Sequence, residues 1–371
     1  MHIGIDASRA LVALPTGTEQ YSREIIQHLA AIASSDRITL YVNRWRDHDW
    51  QAPVGVGVRE LPARRGWTHA RLSWEMVQAA PEVLFVPAHS VPAWHPRATV
   101  VTVHDLGYRH VPDAHAGISR LYRVWSTRFS ARVATRVIAV SEATKRDLIE
   151  LEGVPADRIR VVYHGVDACL RRVEDRSRWR EVRQRYALPE RYFLYVGTLQ
   201  PRKNLQRLIQ AHRALREAQP DAPALVLAGQ TGWLADPILR EARHGVSSDA
   251  VILPGYVPRE DLATLMSAAV AFVYPSLYEG FGMPVLEAMA CGAPVLTSTT
   301  SSLPEVSGKA ALLVDPLDPR ALSDGLKQLA DNPDVRARLA AQGLERAREF
   351  TWERAARQTL SVLREAVYEV R

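Results

Sequence analysis

Cysteine is scarce in this chain: Cys169 and Cys291 are the only two among 371 residues. That excludes a disulfide framework and a Cys/His zinc set, and it fits a reducing cytosol. No run approaches the ~20 apolar residues that a bilayer-spanning helix needs. The opening MHIGIDAS reads as a strand rather than a targeting segment, so no signal peptide is expected. A Walker A loop and a G-x-S-x-G elbow are also missing. No G-x-G-x-x-G follows the first strand, which speaks against a nicotinamide dehydrogenase. The net charge of +6 comes without a basic arm or a nucleic-acid-binding signature. It therefore points to an anionic small substrate, an anionic lipid surface or a solvated basic surface, and no nucleic-acid partner is expected.

What is present is a repeated alternation of strand and helix. A chain of 371 residues is too long for one ordinary core and suggests two domains. Strands are expected at IGID (3–6), RITLYV (37–42), VLFVPA (83–88), TVVTVHD (99–105), RVIAVS (136–141) and IRVVYHGV (159–166). Thr16-Gly17-Thr18-Glu19 reads as a capping box opening the first helix. The Arg-rich stretch 168–190 breaks the rhythm and reads as the interdomain connection with a short helix. The alternation restarts with FLYVGTL (193–199), ALVLAG (224–229), VILPG (251–255), AFVYPS (271–276), PVLTST (294–299) and AALLVDP (310–316). The expected architecture is α/β: two Rossmann-like, doubly wound domains facing across a cleft. The boundaries are 1–170 and 171–350, with a C-terminal helix over 351–371 packing back on the first domain.

The segment from Tyr278 to Glu287, YEGFGMPVLE, sets two carboxylates eight positions apart around a glycine-rich turn. It follows the apolar run AFVYPS, and Pro284 suits the first turn of a helix. The amides at such a helix start are a seat for phosphate, and Gly280 and Gly282 let a ligand approach the backbone. Glu279 on the loop and Glu287 one turn inside the helix would accept paired hydroxyls, so a sugar on each side of a diphosphate fits. Arg202 and Lys203 sit just before another helix start, with Asn204 as its expected N-cap, where cations and dipole jointly hold a diphosphate. His104 closes the strand TVVTVHD and either faces a cleft or is a satisfied structural histidine. Gly17 is either turn punctuation or a place where ligand meets backbone.

These segments, together with GIDAS…GTEQYS, VGTLQPRKN, VHD and PGYVPREDLATLM, resemble family four of the retaining glycosyltransferases, with the GT-B fold, over nearly the whole chain. The flavour of VGTLQPRKN is similar to mannosyltransferases of bacterial polysaccharide or lipopolysaccharide assembly. The resemblance implies transfer of a hexose from a nucleotide sugar with retention, without metal or other cofactor. GDP-mannose is the first donor implied and a UDP-sugar the second; the acceptor is a glycan or lipid-linked glycan. By the same resemblance Lys203 and Arg202 hold the diphosphate, and Glu287 takes the ribose hydroxyls. Glu279 holds the transferred sugar, with amides of Phe281, Gly282 and Met283 near the sugar and phosphate. His104 touches the sugar and reacting region, Gly17 lies near the phosphates, and the base rests on the Gly255-Tyr256-Val257 turn. Where many members carry an arginine directly after the glycine of the V-G strand end, here Gly197, this chain has Thr198, so Arg202 would supply the second cation. A sugar-nucleotide epimerase of the same fold and a non-catalytic sugar-nucleotide-binding protein remain alternatives.

Asp47-His48-Asp49 spells a metal-holding D-x-D, but in a polar loop with no strand to carry it, so no metal is expected. The loose spacing of His104, His110 and His115 lacks the company a zinc site needs. Two segments suggest peripheral attachment at the inner face of a membrane: Arg64-Arg65-Gly66-Trp67 with Arg71 and Trp74, and the acid-free stretch 118–136. The latter interleaves Arg120, Arg123, Arg128, Arg132 and Arg136 with Leu121, Trp125, Phe129 and Val133. A cytoplasmic location is expected.

Overall fold

The computed structural model describes residues 1–12, 17–44, 50–88, 90–110, 118–243 and 250–371, with the backbone alone for 118–121 and 123. Two compact units divide the chain: Met1–Arg109, His115–Gly165 and Phe350–Arg371 form one, and His110–Ala114 with Val166–Glu349 the other.

The first unit runs β1 (His2–Asp6), α1 (Gly17–Ile32), β2 (Arg37–Val42), β3 (Gly57–Glu60), α2 (Ser73–Gln78), β4 (Val83–Val86) and β5 (Thr99–Val103). It continues with α3 (Gly107–His110), α4 (Ile118–Val133), β6 (Arg136–Ala139), α5 (Glu142–Glu152) and β7 (Ile159–Val161). Its seven strands pair in parallel in the order β3-β2-β1-β4-β5-β6-β7. Every residue of β4 and β5 is buried, because helices cover both faces of a parallel sheet and leave no polar side for alternation. Strand β3 was not expected from the sequence. Its GVRE is exposed throughout and sits at the sheet edge, held by register with β2 rather than by apolar patterning.

The second unit runs α6 (Arg176–Arg185), β8 (Tyr192–Val196), α7 (Leu205–Ala218), β9 (Ala224–Ala228), α8 (Asp236–Arg243), β10 (Val251–Gly255) and α9 (Arg259–Ala268). Then follow β11 (Ala271–Tyr274), α10 (Met283–Ala290), β12 (Val295–Ser298), α11 (Leu303–Ser307), β13 (Ala311–Val314), α12 (Pro319–Asp331) and α13 (Pro333–Ala347). All its strands are parallel, in the order β10-β9-β8-β11-β12-β13. From β8 the chain winds outward one way to β10, then restarts beside β8 with β11 and winds the other way. The winding direction therefore reverses between β8 and β11, the kind of switch point at whose carboxyl-end loops open α/β sheets bind ligands. The Arg-rich connection is tied to α9 through Asp261, which is 1% exposed and accepts from Arg178, Arg185 and Tyr186 at 2.9, 2.6 and 2.8 Å.

The last helix, α14 (Trp352–Val370), belongs to the first unit and packs on α1, β4, β5 and β6. Thr351 caps it by accepting from the Arg354 amide. The ring of Trp352 lies 5.7 Å from that of His164 and 5.9 Å from that of Tyr21. Gly165 makes this seat: a Cβ there would meet the Trp352 nitrogen at 2.1 Å and the Thr351 carbonyl carbon at 2.5 Å, both backbone atoms that cannot swing away. Gly165→Ala is expected to push α14 off its seat at about 1–3 kcal/mol, the usual cost of overpacking. Thermal melts followed by tryptophan fluorescence check this; an unchanged midpoint would remove Gly165 from the account of how α14 docks.

Candidate functional site

The site residues of the second unit converge where β8 and β11 end side by side. Past β8, Gly197 and Gly229 adopt φ of 150° and 148°. A Cβ on Gly229 would meet the Gly197 carbonyl oxygen at 2.0 Å, so the ends of β8 and β9 approach this closely only because Gly229 lacks a side chain. One 3₁₀ turn, Pro201–Lys203, then carries both cations. Asn204 holds the N-cap position of α7 at φ 60°, but its side chain does not cap the helix as expected. The amide group is already used: it donates to the Pro316 carbonyl at 2.6 Å and accepts from Arg207 at 2.8 Å, tying the loop to the chain after β13. The β11 loop is bound to this turn directly, with the Leu277 amide donating to the Arg202 carbonyl at 2.9 Å.

Lys203 and Glu279, 7% exposed each, meet in this layer. The Lys203 ammonium donates to Glu279 Oε1 at 2.6 Å and to the Tyr274 hydroxyl at 2.5 Å. Ser276 and Tyr274 donate to the same Oε1 at 2.5 and 3.2 Å. Arg202 faces the other oxygen, Oε2, at 4.0 Å. Burial by itself would raise the Glu279 pKa, but the charges of Lys203 and Arg202 and the bonds from Lys203 and Ser276 prevail and hold it below the usual carboxylate value. Glu279 is thus an ionised acceptor with one oxygen saturated and one facing a cation. The loop that carries it is braced from β12: the Glu279 amide donates to Ser301 at 2.9 Å, and the Ser302 hydroxyl lies 2.9 and 2.8 Å from the carbonyls of Glu279 and Phe281.

Gly282 precedes α10 at φ 102°, and a Cβ on it would meet Leu303 at 2.8 Å; Pro284 follows in the first turn. The glycine is therefore required by the turn itself, whatever approaches it. Gly280 and Phe281 are buried, and Met283 opens the helix; Pro284 has no N–H and the Val285 and Leu286 amides donate to the Gly282 carbonyl at 3.0 and 3.4 Å, which leaves the Met283 amide to face a ligand. Glu287, 13% exposed at its side chain, projects from the same helix toward Arg259, whose Nη2 is 3.6 Å away, and Arg259 in turn is 2.9 Å from Asp167. Burial drives the Glu287 pKa up, Arg259 pulls it down and Asp167 pushes it up again, leaving it at about 7. At the end of β10, Tyr256 is 57% exposed beside the buried Val257, and the Gly255 carbonyl takes the Gly229 amide at 2.8 Å.

His104 and Gly17 belong to the first unit. His104 is buried, with Nε2 2.7 Å from the Pro87 carbonyl oxygen; a carbonyl only accepts, so Nε2 carries the proton. Burial holds its pKa below the ordinary histidine value, and the ring stands edge-on to Tyr21 at 4.7 Å. Gly17 is the exposed first residue of α1, and among the described residues no atom lies within 4 Å of where a Cβ would stand. Thr16, Asp47, His48, Asp49 and His115 lie outside the described residues. Among the described residues no three His, Cys, Asp or Glu side chains gather as metal ligands.

Sequence reading missed Tyr274 and Ser276, which sit inside the run AFVYPS taken as plain buried strand. It also missed Ser301, Ser302, Arg259 and Asp167. The hydroxyl-rich TSTTSS at 297–302, directly after a strand, was the available signal for the serines.

Comparison with known proteins divides along the same line. Residues 177–346 match the family model described as Glycosyl transferases group 1, and 15–169 match Glycosyltransferase Family 4. The chain is similar to the O-antigen chain mannosyltransferase B of Escherichia coli, 38% identical over 265 residues, which cover 71% of this chain and 69% of the relative. It is 29% identical over 275 residues to the serotype-specific mannosyltransferase WbdA of Escherichia coli, covering 73% of this chain but only 33% of that longer protein. Among solved structures, sucrose-phosphate synthase of Thermosynechococcus elongatus superposes with a TM-score of 0.76 at 22% identity over 100% of both chains. HepE of Anabaena, in complex with UDP and glucose, does so with 0.73 at 20% identity over 98% and 99%. At these identities the two structures bear on the fold alone.

The two glutamates predict opposite pH responses of stability. Glu287, raised in the folded state, binds its proton more tightly there than in the unfolded chain, whose reference value is 4.5. Its favourable term is present below that value and is lost as pH rises toward about 7. Glu287→Gln should therefore stabilise the ligand-free protein at pH 8 by on the order of 2–3 kcal/mol relative to wild type, and little at pH 4.5. Glu279, depressed, contributes above the reference value of 4.5 and loses its term as pH falls through the lower folded value. Denaturant titrations across this range check both signs; a Glu287→Gln difference that is flat with pH would contradict the assignment.

Proposed function

The chain belongs to the family-4 glycosyltransferases, and we propose that it moves a mannosyl residue from GDP-mannose to a glycan or lipid-linked glycan, with retention and without a metal ion. The observation that carries a nucleotide-sugar reading is the Lys203–Glu279 pair at the switch point between β8 and β11, with Glu287 one helix turn further on. Cations and the Met283 amide at the helix start suit a diphosphate, and carboxylates suit the hydroxyls on either side of it. Mannose is favoured by similarity to mannosyltransferases over more than two thirds of the chain. A UDP-sugar is the second reading, since HepE shares the fold and holds UDP.

In the proposed mechanism Lys203 and Arg202, with the amide of Met283, neutralise the diphosphate as its bond to the anomeric carbon breaks. The electron pair leaves with the phosphate oxygen. The acceptor hydroxyl adds to the same face of the sugar, and its proton passes to the departing phosphate. Stabilising charge where it develops, with groups already fixed in place, is the contribution this cluster is built to make. Oε2 of Glu279 is the atom available to sugar hydroxyls, since Oε1 already has three donors. Gly280, Phe281 and Gly282 line the turn beside it, and Tyr256 and Val257 offer the base a ledge. His104 and Gly17 keep, as proposals, contact with the reacting sugar and the phosphates. An epimerase would interconvert free donors without an acceptor, so product analysis separates the two.

Peripheral attachment to an anionic bilayer is part of the proposal. The described buried face of α4 is made of Ser126, Thr127, Ser130 and Ala131, while Tyr122 and Trp125 are 48% and 52% exposed. His69 lies 5.6 Å from Trp125, which stacks on Phe129, and Trp74 and Trp94 stand exposed beside Ser73. On α4, Arg128 and Arg132 recur at helical spacing with Trp125 and Phe129, joining apolar contact and positive charge, and Arg128 also faces Glu152 at 3.7 Å. No described helix is long and apolar enough to cross a membrane. The protein should co-sediment with anionic vesicles at low salt, and Trp125→Ala with Trp74→Ala should weaken that binding without changing donor hydrolysis; failure of the wild type to bind would end this reading.

Site substitutions test the donor reading. Glu287→Ala should weaken both intact donor and free nucleoside diphosphate, whereas Glu279→Gln should lower turnover and leave free-nucleotide affinity nearly unchanged. Lys203→Ala should impair both by roughly 2–4 kcal/mol, and it also strands a buried carboxylate, so folding is measured alongside. Activity should persist in excess EDTA. Calorimetry and single-turnover rates decide; full activity in both glutamate variants would defeat the proposal.

A further inference from the structure

One charged group beside the candidate donor site has no role in the reading above. Arg259, at the start of α9, has its Nη2 between two carboxylates: 2.9 Å from Asp167 Oδ2 and 3.6 Å from Glu287 Oε1. Its Nε and Nη2 are buried and, among the described residues, make no hydrogen bond of good alignment, so the guanidinium is held there by charge. Asp167 is fixed in its turn by the Cys169 amide, which donates to Oδ1 at 2.9 Å. The connection beyond it is pinned where the Val173 amide donates to Ser267, whose hydroxyl lies 3.0 Å from the Cys291 carbonyl at the end of α10. The chain entering the second unit, α9 and α10 thus meet around a single guanidinium.

We propose that Arg259, anchored by Asp167, is a positioning residue that keeps the Glu287 carboxylate charged and in place for the ribose hydroxyls of a bound nucleoside diphosphate. This rests on the reading that Glu287 grips ribose. Two carboxylates at such a distance from one cation repel each other, and only the cation makes ionisation of the more buried one acceptable. The groups that face Glu287 are Arg259 from α9, Asp167 from the connection, and Cys291 from its own helix, with Cys169 behind Arg259. Burial pushes Cys291 to about 12, Cys169 is raised, Asp167 is lowered and Arg259 is raised. Glu287, at about 7, is therefore the member of this group that changes charge near neutrality.

The test compares binding of GDP and its 2′,3′-dideoxy form to the full chain by calorimetry at several pH values either side of neutrality; UDP and dideoxy-UDP serve the second donor reading. The ratio of the two affinities isolates the ribose contact, because titration of the phosphates is common to both ligands. In the wild type the ratio should rise with pH as Glu287 ionises. In Arg259→Ala the rise should move to higher pH, and for a shift of about one pKa unit the ratio at neutrality should fall roughly fivefold, as Glu287 goes from about half ionised to about a tenth ionised. Arg259→Lys should recover part of it, and Asp167→Asn should move the rise to lower pH, a sign that mere loosening of the fold would not give. A profile for Arg259→Ala that superposes on the wild type, while Glu287→Ala abolishes the ratio, overturns the positioning role and leaves the ribose reading intact. An unchanged ratio in Glu287→Ala overturns both. Should Arg259→Ala fail to fold, unmoved profiles in Arg259→Lys and Asp167→Asn overturn the proposal.

Discussion

The ion pair between Lys203 and Glu279 ties together the two loops on which the second unit depends. Each charge is buried, and each would be costly there alone; removal of one partner from such a pair typically costs about 3–5 kcal/mol. The surroundings are arranged to make the pair tolerable. Tyr274 and Ser276 complete the bonds to one carboxylate oxygen, Arg202 faces the other, and serines of the β12 loop hold the backbone. Because the partners come from loops after β8 and β11, the pair exists only if both strands lie side by side in register. Sheet order and site are in this sense one constraint.

Two glutamates eight positions apart meet opposite fates under the same rule. Burial raises both, yet Glu279 has a lysine in contact and an arginine nearby, while Glu287 shares its arginine with Asp167. One is held ionised and the other is poised near neutrality. Pairs of carboxylates pushed apart in this way mark division of labour in a site. The charge of Glu287 is therefore set by the second unit's own connection, through Arg259, as well as by the helix that carries it.

Much of the fold was legible in the sequence for a plain reason. Strands buried on both faces are continuous apolar runs, so VLFV and ALVLA announce themselves, and the helix after Asn204 shows its inner face in Leu205, Leu208, Ile209, His212 and Leu215. Strand β3 was not legible, because an exposed edge strand is chosen by its neighbour's free hydrogen-bonding groups and needs no apolar pattern. Asn204 likewise has a capping residue's chemistry, but a partner more than a hundred positions away claimed its side chain.

The sequence by itself determined the alternation of strands and helices, the parallel arrangement it implies, and the chemical types available at the strand ends: two cations before one helix and two carboxylates around another. Those are local properties, set by side-chain polarity and by glycine and proline at fixed spacing. Tertiary structure alone decided that Lys203 and Glu279 hold each other, that Tyr274, Ser276, Ser301 and Ser302 belong to the same cluster, and that Glu287 answers to Arg259 and Asp167. Burial and Coulomb energy depend on distances between segments far apart in the chain, and no spacing along the sequence encodes those distances.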